Sequence, residues 1–164
     1  MMLKKVISGG QTGVDRAGLD VAIKAGIQVG GYCPKGRKAE DGIIPNIYPL
    51  QELSTTRYQV RTEKNVVESG ATLIINKGPL TQGTKQTYEF AIKHERPCLI
   101  VRLDSNRIFE PIVVVNWIEK QKLNILNIAG PRESKFSEGI YHEAFSYLEK
   151  VFDMLKGDKK LENM

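Results

Sequence analysis

The 164-residue sequence predicts an α/β fold built on a mostly parallel sheet. Three observations carry that expectation. Short apolar, β-rich runs alternate with helix-like stretches along the chain. Glycine-rich turns follow the first, third and fifth of those runs. The stretches between them carry apolar residues at helical spacing.

The runs stand at 3–8 (LKKVIS, the weakest), 27–32 (IQVGGY), 71–76 (ATLIIN), 97–101 (PCLIV) and 123–128 (LNILNI). After the first, Val14, Ala17, Gly18, Val21, Ala22 and Ala25 recur at i, i+3, i+4, i+7, i+8 and i+11. Leu19 and Ile23 make the remaining face apolar too, so this helix is expected to be deeply buried. Residues 33–57 (CPKGRKAEDGIIPNIYPLQELSTTR) form a long irregular segment for so small a domain, and such segments commonly fold over a site. A helix is expected over 58–68 and another after the third run. EPIVVVNWIEK is ambiguous: four β-branched residues in a row favour a strand, but Pro111 fits the first turn of a helix. A helix is expected there. Ile140, Ala144, Phe145, Leu148, Val151, Phe152 and Leu155 form the apolar stripe of a last helix.

Composition places the chain among soluble globular proteins, with 41% hydrophobic and 26% charged residues. One domain is expected over 1–156, with 157–164 as a frayed basic tail. Cys33 and Cys98 are too few for a disulfide framework, and no CxxC or histidine cluster suggests a protein-bound metal. His94 and His142 are read as structural or exposed. No signal-like segment or membrane-length apolar run stands out, so a cytoplasmic protein is expected. The net charge of +5 comes from scattered basic residues with no aromatic interleaving. That pattern favours a small anionic ligand over nucleic acid or a membrane.

Chemistry concentrates in three loops. In SGGQTGVDRAGLD, Ser8, Gly10 and Gly13 occupy the glycine places of a GxGxxG turn. The amides of Gly9, Gly10, Gln11 and Thr12 are expected to face an anion at the helix start. Thr12 and Asp15 are spaced like a capping box, so Asp15 either caps its own helix or meets a ligand hydroxyl. No acid ends the second run to hold a ribose, which argues against NAD; Lys35 and Arg37 stand there and suit a phosphate or a solvated loop. The second loop, NKGPLTQGTKQTYEFA, offers Gly78, Pro79, Thr81, Gly83 and Thr84 as an oxyanion cradle or as a helix N-cap. The third, NIAGPRESKFSEG, offers Gly130, Arg132 and Ser134, with a surface ion pair to Glu133 as the plain alternative for the arginine. All three follow strands of one parallel sheet and so lie at its carboxyl edge, where open α/β sheets bind ligands. Arg57 and Arg61, four apart on the helix 58–68, either reach that edge or stay on the surface.

GGQTGVDRAGLDVA, GPLTQGTKQTYEFA and NIAGPRES resemble the motifs of the molybdenum carrier-like proteins, over roughly residues 3 to 153. That group lies in the Rossmann-like superfamily of the LOG-type cytokinin-activating phosphoribohydrolases. The resemblance implies a three-layer α/β/α fold. It also implies a circular permutation, with five strands in the order 2-1-5-3-4 and the three loops as neighbours. It implies a dimer or tetramer as well. The LOG motif PGGxGTxxE is similar to Pro79 through Thr87, but its final acid falls on Thr87, with Glu89 the nearest carboxylate. Catalysis is therefore not expected; were the chain an enzyme, Glu89, Asp15 and Arg61 would be its candidates. The resemblance implies a carrier of the molybdenum cofactor (molybdopterin). A nucleotide, LOG-like phosphoribohydrolysis and nucleotide sensing are the alternatives.

Overall fold

The computed structural model describes residues 3–164, excepting the side chains of 158–160 and 162. The first two strands are β1 (Lys5–Ile7) and β2 (Gln28–Gly30), joined by α1 (Val14–Lys24). Four short pieces follow: β3 (Tyr32–Cys33), β4 (Lys38–Ala39), β5 (Gly42–Ile43) and β6 (Gln51–Glu52). Then come α2 (Tyr58–Val67), β7 (Ala71–Asn76), α3 (Gln82–Lys93) and β8 (Cys98–Arg102). The chain ends with α4 (Pro111–Lys120), β9 (Ile125–Ala129) and α5 (Tyr141–Glu162). The last helix covers most of 157–164, the segment expected to fray; the side chains of 158–160 and 162 lie outside the described residues.

The main sheet is wholly parallel, in the order β2-β1-β9-β7-β8. Numbered by the five apolar runs, this is 2-1-5-3-4, the permuted order. β7 is buried at every position, which is why its sequence is a continuous apolar run without alternation. α1, α4 and α5 pack side by side, and α2 packs on α3. α1 sits close on β9: a Cβ at Gly18 would lie 2.8 Å from the Ile128 side chain.

The ambiguous segment 110–120 is helical. Pro111 occupies the first turn, and Val114, Val115 and Ile118 bury one stripe in the core.

Residues 33–57 form a strap with its own small architecture. β3 pairs with β6 in parallel, and β4 with β5 as a hairpin. Leu19, Cys33, Ala39, Ile44, Tyr48 and Leu50 make a second apolar cluster beneath it. Arg37 turns inward, donating to the carbonyls of Ile44 (3.2 Å), Pro45 (3.0 Å), Tyr48 (2.8 Å) and Leu50 (3.2 Å). It is the staple of the strap and not a phosphate ligand. Asp20 on α1 accepts from the Tyr48 hydroxyl at 2.6 Å and from the Tyr141 hydroxyl at 2.5 Å, tying the strap to α5.

Candidate anion-binding site

Placing β9 between β1 and β7 brings the three loops together over the carboxyl edge of the sheet. Between them opens a cavity of about 230 Å³. Gln11 and Asp15 form one wall, Thr81 to Thr84 and Thr87 a second, Gly130 to Arg132, Ser134 and Lys135 a third. Arg61 enters from α2. Ser8, Gly9, Gly10, Thr12, Gly13, Lys35, Gly78, Pro79 and Glu89 are not among the lining residues.

In the first loop two of the four amides expected to face an anion, those of Gln11 and Thr12, are taken within the loop. The Ser8 N–H donates to Gly30 O (3.2 Å) and the Val14 N–H to Pro131 O (3.2 Å). The Gln11 N–H donates to Asp15 Oδ2 and the Thr12 N–H to Gln11 Oε1, each at 3.1 Å. The start of α1 is thus closed by the backbone of the third loop. The Thr12–Asp15 capping box is absent: Gly13 is the N-cap, with no side-chain cap. Thr12 Oγ1 instead donates to Glu40 and accepts from the Glu133 N–H (3.2 Å). Gly9 makes room for a side chain, since a Cβ there would lie 1.9 Å from Arg61 Nη1. Gly10 lies beneath Leu50 and Ile44 of the strap. Lys35 is exposed, with its amide on Thr55 O. The Gly78 amide is held by Asp104. Glu89 lies on the outside of α3, 3.9 Å from Lys85, and does not replace the missing acid. Thr87 is buried and donates to Gly83 O at 2.9 Å.

Several donors that line the cavity lack acceptors. The first intrahelical bond of α3 runs from the Lys85 N–H to Thr81 O (3.2 Å), and no side chain caps the helix. The amides of Gln82, Gly83 and Thr84 therefore precede the ladder. Nothing lies within 4 Å of a Cβ built on Gly83, so the helix start is open. Gln11 is 5% exposed; its Oε1 accepts from Thr12 and Glu40 amides, while its Nε2 has no partner. Arg61 Nε is likewise unpartnered. Arg61, Arg132 and Lys38 surround the Tyr58 ring at 5.4, 5.7 and 5.3 Å, and Lys135 Nζ donates to Thr81 Oγ1 at 2.5 Å. Three lining cations, Arg61, Arg132 and Lys135, against one lining carboxylate, together with an open helix start, make this an electropositive pocket.

The chain matches the circularly permutated YpsA SLOG family over residues 6–152. It belongs to that family. Its fold is also that of a crystal structure described as "Putative molybdenum carrier protein" from Syntrophus aciditrophicus SB. The two chains are 47% identical, with a TM-score of 0.84 and coverage of 92% of this chain and 94% of that one. No curated protein matches. The permutation that names the family is visible here as β9, last in sequence and central in the sheet.

In this family member the cavity holds one ionisable acid, Asp15, which is 3% exposed. Burial pushes its carboxyl above the ordinary range, against the Arg61 guanidinium 3.4 Å away and the Gln11 amide. The Ser8 hydroxyl makes no full hydrogen bond, yet its dipole acts in the same direction as Arg61. Glu40, from the β4–β5 hairpin, lies at the cavity mouth beside Ser134 and Arg132. Burial would raise its carboxyl, but hydrogen bonds from Ser134 and Thr12, with Arg132 nearby, hold it below the usual range. Tyr58, Lys38, Glu40, Gln82 and Lys135 carried no signal in the sequence loops; only the length of the strap hinted that something from it would reach the site. Among the described residues no group of His, Cys, Asp or Glu is placed to hold a metal ion. None has a helix long and apolar enough to cross a membrane.

Proposed function

We propose that this chain is a carrier, binding a small phosphorylated or oxyanionic ligand in this cavity without breaking a bond in it. One observation carries the reading. The buried Gln11 Nε2 lacks an acceptor, and it lines one cavity with Arg61 and with a helix start whose first amides are also open. A buried donor left unsatisfied costs about 1–3 kcal/mol, which an anion would relieve. Arg61, Gln11 and the amides of Gly83 and Thr84 would hold the anion, with Thr84, Arg132 and Lys135 at its sides.

The name of the structural neighbour supports molybdenum-related cargo: the cofactor through its phosphate, or molybdate through its oxo groups. The donor set fits either anion. A pterin dithiolene brings its own sulfurs, and Cys33, buried under the strap, is not at the cavity. A phosphorylated nucleotide presents the same anion. The absence of an acid at position 87 supports carrying over LOG-like hydrolysis; Asp15, with its raised pKa, favours hydrolysis as the second reading. A cytoplasmic homo-oligomer belongs to the same proposal, supported by exposed Ile108, Phe109, Ile112 and Val113 around the start of α4.

The test begins with acid oxidation of the purified protein and fluorescence detection of any pterin. Calorimetry with molybdate and phosphate on wild type, Thr84→Val and Arg132→Ala follows. Anion binding weakened in both variants is expected. Free base released from nucleoside monophosphates, and lost in Asp15→Asn, would replace the carrier by the hydrolase.

A further inference from the structure

Glu40 is the carboxylate that the strap carries to the cavity mouth, its side chain 17% exposed. Its Oε1 accepts from the Thr12 hydroxyl and from the Ser134 N–H at 3.2 Å. Its Oε2 accepts from the Ser134 hydroxyl at 2.5 Å and lies 3.9 Å from Arg132 Nη1. Two hydroxyls, a backbone amide and a guanidinium are the contacts a phosphate oxygen makes. At this end of the cavity they are already satisfied by a negative charge of the chain itself. The donors with no acceptor, Gln11 Nε2 and Arg61 Nε, lie with the open start of α3.

We infer that Glu40 sets the charge limit of the ligand: the cavity accepts one tetrahedral anion against α3 and Arg61, and rejects a second at the Ser134 end. This rests on the anion-site reading above and deepens it. A phosphate monoester or a single oxyanion fits, with a neutral or hydrogen-donating group beside Glu40. A pyrophosphate or nucleoside diphosphate would place like charges together. Glu40 cannot simply swing aside. Its N–H donates to Gln11 Oε1 at 2.9 Å, and its carboxylate is held by the Thr12 and Ser134 contacts.

The experiment is calorimetry of the full chain with inorganic phosphate and with pyrophosphate. Wild type is expected to bind phosphate at least about tenfold more tightly. Glu40→Gln keeps an acceptor for Thr12 and the Ser134 amide but removes the charge. Pyrophosphate affinity should rise by about tenfold in it and the preference should vanish. Asp41→Asn removes a charge from the same hairpin that faces Arg16, and should leave the preference intact. Equal wild-type binding of the two anions overturns the role of Glu40 while leaving the anion site standing, and needs no variant. An unchanged preference in a folded Glu40→Gln or Glu40→Ala protein does the same. Wild type binding neither anion overturns the site itself, and this inference with it.

Discussion

Gly13→Ala should unseat the third loop from the start of α1. Gly13 has φ 81° and ψ −128°, a conformation open to glycine, and an alanine there carries about 1–3 kcal/mol of backbone strain. Its Cβ would lie 2.4 Å from Pro131 O, 2.8 Å from the Glu133 nitrogen and 2.9 Å from the Arg132 carbonyl carbon. These are backbone atoms, so the loop itself must retreat by about 1 Å to reach ordinary contact. Pro131 O is also the acceptor for the Val14 N–H at 3.2 Å, and losing that bond adds about 0.5–1.5 kcal/mol. Together these give a destabilisation of about 1.5–4.5 kcal/mol, or a fall in Tm of about 3–18 °C for a chain of this size. Gly36→Ala is the reference for a positive φ without contact: Gly36 also has φ 81°, but nothing lies within 4 Å of its Cβ position. It should show positive-φ strain with no clash and cost less than Gly13→Ala. Thermal and urea unfolding of both variants measure the difference. Equal destabilisation of the two would refute the reasoning, because the clash with the third loop would then contribute nothing.

Gly83→Leu should separate stability from binding: its side chain meets open space at the first turn of α3, so Tm holds or rises while phosphate binding falls more than about tenfold. Calorimetry beside a melting curve checks it, and retained binding would remove Gly83 from the site. Asp15 gives a pH signature. Its folded carboxyl holds the proton more tightly than the ordinary value of 3.8, so its stability contribution is complete below pH 3.8 and is lost as pH rises through the raised folded value. The stability of Asp15→Asn relative to wild type should therefore climb with pH across that window; a flat difference in denaturant unfolding from about pH 4 to pH 7 would show no raised pKa. Asp20→Ala strands the hydroxyls of Tyr48 and Tyr141 and should cost about 1–3 kcal/mol in urea unfolding. Thiol titration of the native chain at about pH 8 should be slow at both cysteines, since Cys33 is buried and burial pushes the Cys98 thiol up to about 11; fast reaction at either before unfolding would contradict that packing.

The main sheet was legible because its central strands are buried on both faces and so read as unbroken apolar runs. ATLIIN and LNILNI needed no context. Segment 110–120 was decided by one residue, Pro111, against four β-branched neighbours. The strand order came through motif resemblance alone, since periodicity does not say which strand lies beside which. The site was legible as loops but not as contacts. That the amide of Val14 is used by Pro131, or that Thr12 meets Glu40, depends on pairs far apart in sequence. Arg37 shows the same limit: a basic residue after a strand suits a phosphate on paper, and four carbonyls of its own strap claim it in the fold. Arg61 was read as able to reach the edge, but that its guanidinium fills the space left by Gly9 depends on the same kind of distant pair.

The central place of β9 has a consequence for how the molecule comes into being. β1 pairs with β2 and β7 with β8, so the nascent chain can assemble two separate half-sheets. Neither half touches the other through backbone until β9 inserts, bonded to β1 on one side and β7 on the other. The last strand to be synthesised is therefore the keystone, and its pairings span most of the chain, the kind of contact that forms slowly. Gln11 belongs to one half and Gly83 to the other, while Arg132 arrives with β9 itself. The three walls of the pocket therefore come together only in the step that closes the sheet.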